Sequence, residues 1–177
     1  MVICLMRYCL TEYPSRMKWG YLKKKLKNWE FSLADSNINL LMWAHYAAEH
    51  KGMCLEFHRI EGTELANNQT TRPISYTDNH PTLSTKSLTN NTTRTTSQKR
   101  ILYAKSKHWA YEQEWRHIVN LGNQSHPWPA PLKAIYFGCK TEEQDIYLVR
   151  SIINDSKVKY FKAEKNATTF GITFRSI

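Results

Sequence analysis

The stretch from Asn39 to His58 constrains the fold of this chain more than any other segment. Helix-forming Leu, Met and Ala dominate its first part, and Gly52 stands where the C-terminal cap of a helix is expected. From Met53 onward, apolar and polar side chains alternate with the two-residue period of a half-buried strand. The sequence therefore predicts a helix, a glycine stop and a strand in immediate succession.

The predicted helix carries two different faces. One is apolar, and the opposite one is formed by Met42, His45, Tyr46 and Glu49 rather than by lysines. A face of this kind usually contacts something other than bulk water. We expect its partner to be the aromatic segment Trp109–Arg116, so that a functional site would lie at the boundary between the two.

The rest of the chain predicts strands and helices in mixed order. We expect short strands at residues 29–32, 73–77, 114–121, 132–138, 157–162 and 168–175. We expect helices at residues 17–29, 98–108 and 141–155, with Asp35 or Ser36 capping the central helix and Thr141 capping the last one. Residues 82–97 form a polar insertion that is either poorly ordered or a weak helix, and propensity disfavours the helix.

This order predicts the α+β class, with a mixed, mostly antiparallel sheet packed against a few helices. Residues 1–177 are expected to form a single domain. Within it, residues 1–28 are a basic helical segment, residues 29–140 the core, and residues 141–177 a helix followed by two closing strands.

Composition and charge set the broad class of protein. With 41% hydrophobic and 12% aromatic residues, the chain is globular in composition. It shows no transmembrane span and no signal peptide, and its four cysteines lack paired spacing, so we expect a reduced, cytoplasmic protein without membrane contact. The formal net charge of +10 permits nucleic acid as a partner without establishing it.

Two glutamates are the first candidates for chemistry. If residues 112–116 are extended, Glu112, Glu114 and Arg116 project from one face. Two carboxylates at this spacing can share a site and raise one pKa, which suits general acid–base catalysis. The alternative is a surface Glu–Arg pair at the start of a strand. The flanking Trp109 and Trp115 favour partial enclosure of the charges.

Histidines are the second candidates. His45 and Glu49 stand one helical turn apart, so the carboxylate can orient the imidazole, although a core histidine would show the same spacing. A metal site is not expected, because His45 and His50 point about 140° apart on a helix and no paired cysteine spacing exists. The sequence identifies no cofactor.

Several segments resemble, in the same order, a bacterial family catalogued as domain of unknown function 2971. They are Phe31-Ser32, Leu41–Ala47, Lys51–Phe57, Ile74–Tyr76, Lys105 or Lys107 with Trp109–Arg116, and Ile135–Gly138. The resemblance covers about residues 29–140 and implies no established activity. Family members usually begin with an extra segment whose motifs are not visible here, so the resemblance implies an N-terminally short member.

The leading hypothesis is a small enzyme that acts on an anionic or nucleotide-type substrate. Its catalytic residues would be Glu114, Glu112 and His45, and its substrate-binding residues Trp43, Tyr46, Glu56, Tyr111 and Arg116. In residue type alone, the two glutamates are similar to the Glu-x-Glu site of ADP-ribosyltransferases. The alternatives are an inactive, truncated family member or a nucleic-acid-binding module that uses Lys18, Lys23, Lys24, Lys25 and Lys27.

Overall fold

The computed structural model describes residues 2–6, 29–82, 91–119 and 126–177. Its strands are β1 (Val2–Met6), β2 (Trp29–Ala34), β3 (Met53–Phe57), β4 (Thr71–Pro73), β5 (Ser75–Thr77), β6 (Ala104–Ser106), β7 (Glu114–Val119), β8 (Leu132–Phe137), β9 (Lys159–Lys165) and β10 (Ile172–Ser176). Eight of these described strands form one sheet in the order β10-β9-β8-β3-β1-β2-β7-β4. Strands β5 and β6 pair in parallel as a separate ribbon.

The described part of the chain also contains three α-helices and two 3₁₀ helices. They are α1 (Leu40–Tyr46), α2 (Asn91–Leu102), α3 (Glu143–Ile153) and two 3₁₀ helices at Glu64–Ala66 and Lys107–Glu112. In the large sheet, the neighbouring strands pair antiparallel except β8 with β9, which are parallel. The predicted α+β class with a mixed, mostly antiparallel sheet is therefore confirmed. None of the helices in the described ranges is long and apolar enough to cross a bilayer.

The centre of the sheet is covered on both faces. On one face Leu55 of β3 belongs to the same core cluster as Ile146 of α3. On the other face Cys54 packs with Trp43 of α1. The expected strand is present, but half-burial was wrong, because α1 covers the side on which a solvated face was predicted. Even Glu56, on the α1 side, is only 1% exposed.

The predicted glycine stop at Gly52 is wrong. Helix α1 ends at Tyr46, and residues 48–50 follow with φ values of +47°, +55° and +71°, all in the left-handed region. The amide of Gly52 then donates to the carbonyl oxygen of Ala47 at 2.8 Å, which closes the turn. Three residues other than glycine therefore adopt the strained left-handed backbone conformation at this helix end.

The predicted N-cap of α1 at Asp35 or Ser36 is also wrong. Asn39 is the cap, and its side-chain oxygen accepts a hydrogen bond from the amide of Leu41 at 2.9 Å. This bond satisfies one of the amides that a helix start leaves without a partner. Because the cap is Asn39 rather than Asp35 or Ser36, the helix begins later in the sequence than predicted.

Thr141 stabilises the turn after α1 instead of capping α3, which corrects a third prediction. Its hydroxyl lies 3.0 Å from the carbonyl oxygens of both Lys51 and Gly52 and donates there. Next to it, the amide of Gly138 donates to Gly52 at 2.9 Å. A Cβ atom at Gly138 would lie 2.0 Å from the carbonyl oxygen of His50, so only glycine fits this close approach.

The polar insertion was assigned incorrectly in part. Helix α2 begins at Asn91, so residues 91–97 are helical although propensity disfavours it, and it ends at Leu102 instead of residue 108. The end of α2 is held by packing, because Leu102 and Tyr103 join a core cluster with Ile118. Tertiary contacts thus override a weak local preference. Residues 83–90 and the basic helix predicted at 17–29 lie outside the described residues, apart from Trp29 in β2.

Candidate active site

The polar face of α1 contacts the aromatic segment, as the sequence predicted. The hydroxyl of Tyr46 donates to Oε1 of Glu112 at 2.5 Å. The side-chain amide of Asn39 donates to the carbonyl oxygen of Tyr111 at 2.8 Å. These bonds join residues that are 66 and 72 positions apart in the sequence and fix the glutamate segment against the helix.

The two glutamates reach the same place by a different backbone from the one predicted. Residues 112–116 are not fully extended, because Lys107–Glu112 is a 3₁₀ helix and Gln113 has a left-handed φ of +47°. Strand β7 begins only at Glu114. The left-handed residue turns the chain so that Glu112 and Glu114 still lie on one side, and they are 3% and 6% exposed.

Lys105 joins the two carboxylates. Its ammonium group is ion-paired with Oε2 of Glu112 and lies 3.0 Å from Oε2 of Glu114. The position of Lys105 follows from the ribbon, because Tyr76 pairs with it in register and accepts a hydrogen bond from the amide of Glu114 at 2.8 Å. Lys105 was not among the predicted site residues. The signal for it was its place, together with Trp109–Arg116, among the segments that resemble the family.

Arg116 holds Glu114 from the other side. Its Nε lies 2.7 Å from Oε1 of Glu114 and 3.1 Å from Oε1 of Glu30. Its Nη1 donates to the carbonyl oxygen of Leu102 at 2.5 Å. The guanidinium is therefore engaged within the protein. We call the group formed by Tyr46, Lys105, Glu112, Glu114 and Arg116 the carboxylate cluster.

The charges of the cluster reinforce one another. Burial by itself would raise the pKa of Glu114, but the hydrogen bonds and charges of Arg116 and Lys105 outweigh burial and lower it. Burial disfavours the ammonium of Lys105, yet its bonds to both glutamates raise its pKa. Burial and the neighbouring Glu112 raise the pKa of Tyr46. At neutral pH, Glu114 is therefore ionised and Lys105 is charged, so Lys105 is not a general base.

An aromatic rim connects the cluster with solvent. Lys105 is 22% exposed, and its ammonium lies 5.1 Å from the ring centre of Trp109. Trp109 is itself 40% exposed, and its ring centre lies 6.0 Å from that of Tyr111. A ligand approaching the cluster from this side would meet two aromatic rings and one ammonium group before it reached the carboxylates.

The other predicted site residues lie elsewhere. His45 is exposed, with its ring 6.3 Å from that of Tyr46. Trp43 is fully buried in the core, and its indole nitrogen donates to the carbonyl oxygen of Asn37 at 2.6 Å. Geometry therefore brings together Tyr46, Glu112, Glu114 and Arg116 and leaves out His45 and Trp43.

Glu56 forms a separate ion pair that joins β3 to β8. Its Oε1 accepts from Lys133 Nζ at 2.6 Å, and its Oε2 accepts from the hydroxyl of Tyr136, also at 2.6 Å. Burial and this carboxylate raise the pKa of Tyr136. No hydrogen bond or ion pair between described residues joins Glu56 to the carboxylate cluster. Glu56 is therefore a buried carboxylate whose two oxygens both accept hydrogen bonds, while its partner Lys133 is 40% exposed.

In the described ranges, no three His, Cys, Asp or Glu side chains come close enough to hold a metal ion. Cys54 is buried and Cys139 is partly exposed. The five lysines proposed for nucleic-acid binding, Lys18, Lys23, Lys24, Lys25 and Lys27, lie outside the described residues, so that hypothesis stays a prediction.

The fold and the cluster define an α+β protein with two buried glutamates held by cations and a tyrosine. The sequence profile of one family, described as "Protein of unknown function (DUF2971)", matches residues 42–117, which contain most of α1, the ribbon and both glutamates. The match assigns residues 42–117 to this family, as the resemblance implied, although it is shorter than the predicted 29–140. No curated protein and no solved structure matches the chain.

Proposed function

We propose that this protein is an enzyme that uses the carboxylate cluster to stabilise positive charge that develops on a small, nucleotide-type substrate. One observation carries the proposal: Glu114 is 6% exposed, has a lowered pKa and lies 3.0 Å from the partly exposed Lys105. A fixed negative charge in a site of low dielectric stabilises a cationic transition state more strongly than the same charge in water.

The lowered pKa decides the chemical role of Glu114. An ionised carboxylate cannot donate a proton, so Glu114 acts electrostatically, as in reactions that pass through an oxocarbenium-like state. Glu112 holds Lys105 and is itself fixed by Tyr46. When substrate charge approaches Glu114, Lys105 retains Glu112 as its partner.

The remaining predicted residues receive narrower roles in this proposal. Arg116 positions Glu114 rather than binding the substrate, because its donors contact Glu114, Glu30 and a backbone carbonyl. The substrate enters along the rim of Trp109 and Tyr111, where an aromatic base can stack. Exposed His45 stays a predicted contact at the edge of this path.

The test uses NAD⁺, whose nicotinamide leaves through such a cationic state. Wild-type protein is expected to release nicotinamide, and Glu114→Gln to reduce the rate by about 100-fold or more, the usual effect of removing one preorganised electrostatic group. Glu164→Gln is the matched control, because this exposed glutamate pairs only with Arg175 among the described ion pairs. Its rate should equal that of the wild type.

Two results would contradict the proposal. The first is absence of nicotinamide release by the wild type. The second is a Glu114→Gln protein that is as active as Glu164→Gln. The melting temperature of each variant is measured in parallel, since Lys105 keeps Glu112 and Arg116 keeps Glu30 after the substitution. A large loss of stability with unchanged activity would assign Glu114 to a structural ion pair.

A further inference from the structure

A second polar region lies on the other side of the β5–β6 ribbon. Side chains alternate along a strand, so Tyr76 and Lys105 point toward Glu114 while their neighbours point away. Those neighbours, Ser75 and Ala104, line a cleft of about 820 Å³ between the ribbon and α2. We call this cleft, which also includes Arg72, Lys99 and Arg100, the basic cleft.

The basic cleft has a one-sided charge. Arg72, Lys99 and Arg100 line it, and none of the described lining residues is an aspartate or glutamate. Asp78 stands between the lining residues Thr77 and Asn79 in the sequence, and it is ion-paired with Lys107 at 2.5 Å. The positive charges are therefore not neutralised by the described walls of the cleft.

The partners of the three cations support this conclusion. Arg72 donates to the carbonyl oxygen of Asn68 at 2.8 Å and to the side-chain oxygen of Gln69, both of which are neutral. Within the described ranges, the side chains of Lys99 and Arg100 form no ion pair. Like charges that share a concave surface raise the local concentration of anions.

A purely structural explanation accounts for part of the arrangement. Lys99 and Arg100 stand in the last turn of α2, where cations interact favourably with the helix dipole. This does not explain Arg72, which comes from β4 and faces the same cleft. It also does not explain the cleft itself, whose volume lies in the range of sites for nucleotide-sized ligands.

We propose that the basic cleft binds a nucleotide-sized ligand through a chain of two or more phosphates. Arg72, Lys99 and Arg100 supply the charge, and the hydroxyl of Ser75 is an additional hydrogen-bond donor. This site is distinct from the carboxylate cluster, because the ribbon separates them, and it does not rest on the proposed function. It assigns a binding role to α2, whose sequence gave no functional signal.

Calorimetric titration of the full chain with ATP and with inorganic triphosphate tests the proposal. Both should bind, ATP more tightly, with an affinity that falls as salt is raised. The double substitution Lys99→Gln with Arg100→Gln should weaken binding by at least about tenfold, the effect of losing one hydrogen bond to a charged group. Lys157→Gln with Lys159→Gln makes the same change of charge at exposed positions and should leave binding within about twofold.

The possible outcomes separate the alternatives. Absence of ATP binding, or equal affinities of the two double variants, would overturn the proposal. Equal binding of ATP and inorganic triphosphate would overturn the assignment of a nucleotide. Much tighter binding of a short single-stranded RNA that depends on Lys99 and Arg100 would replace the small ligand by nucleic acid. Glu114→Gln should leave ATP binding at this cleft unchanged, so failure of the catalytic proposal and failure of this one are distinguishable.

Discussion

The carboxylate cluster and the basic cleft lie on opposite faces of the two-stranded β5–β6 ribbon. Charges are paired within the protein in the cluster and are not paired in the cleft. In the cluster, Glu112 and Glu114 are 3% and 6% exposed, and each has a cation as a partner. In the cleft, Lys99 and Arg100 form no described ion pair. The difference follows from burial, because a buried charge without a partner is costly and a solvated one is not.

This contrast favours the different functions that we propose for the two faces. A compensated, buried network holds its members in fixed geometry, which is what a preorganised catalytic group needs. An uncompensated, accessible group of cations has donors available for a ligand. The ribbon therefore separates a region whose charged side chains already have partners within the protein from a region whose cations would be paired by a bound anionic ligand.

Among the substitutions that test this contrast, removal of Lys105 is expected to change the free energy of unfolding most. In Lys105→Met, Glu112 loses its only described cation and keeps only the bond from Tyr46. Leaving a buried charge without its partner costs about 3–5 kcal/mol. Urea unfolding at neutral pH should show this decrease in the free energy of unfolding.

The matched control is Lys99→Met, the same substitution on the cleft side of the ribbon. Because Lys99 has no described ion pair, its removal should change the free energy of unfolding by about 0.5 kcal/mol or less. Equal effects of the two substitutions would contradict the distinction between a compensated and an uncompensated region.

The sequence predicted the parts of this arrangement that depend on local pattern. Alternation located β3, an apolar run located β8, and the amphipathic contrast of the central helix predicted its contact with the segment of Glu112 and Glu114. It did not predict the left-handed Gln113 or residues 48–50, because a turn of this kind is fixed by long-range contacts such as that of Gly138 with His50.

The sequence could not identify the cleft for a similar reason. Its cations come from β4 and α2, so only the folded chain shows that they share one concave surface. Propensity also disfavoured the first part of α2, residues 91–97. Lys105 was accessible to prediction in principle, since it stands among the segments that resemble the family, but its two carboxylate partners depend on how the ribbon packs.

Two tyrosines, one in the cluster and one lining the cleft, give a second comparison in which the expected changes in the free energy of unfolding are smaller. Tyr46 donates to the charged Glu112 at 2.5 Å, whereas Tyr103, which lines the cleft, donates to the neutral carbonyl oxygen of Thr70 at 2.8 Å. A hydrogen bond to a charged group contributes about 1.5–3 kcal/mol and one to a neutral group about 0.5–1.5 kcal/mol. Thermal or urea unfolding should therefore rank Tyr46→Phe as more destabilising than Tyr103→Phe. The reverse order would show that the bond to Glu112 contributes little to the cluster.

The smallest expected effect is on how the free energy of unfolding depends on pH. Burial opposes the lowering of the pKa of Glu114, so the net shift is small. A carboxyl group with a lowered folded-state pKa contributes stability that is present above its ordinary value of 4.5 and is lost as pH falls through the folded-state value. The difference in the free energy of unfolding between wild type and Glu114→Gln should therefore be constant near neutral pH and shrink below about pH 4.5. Glu164→Gln supplies the control for an exposed glutamate. A difference that grew on acidification would mean that burial raises the pKa, so that Glu114 would be a proton donor and its purely electrostatic role would be wrong.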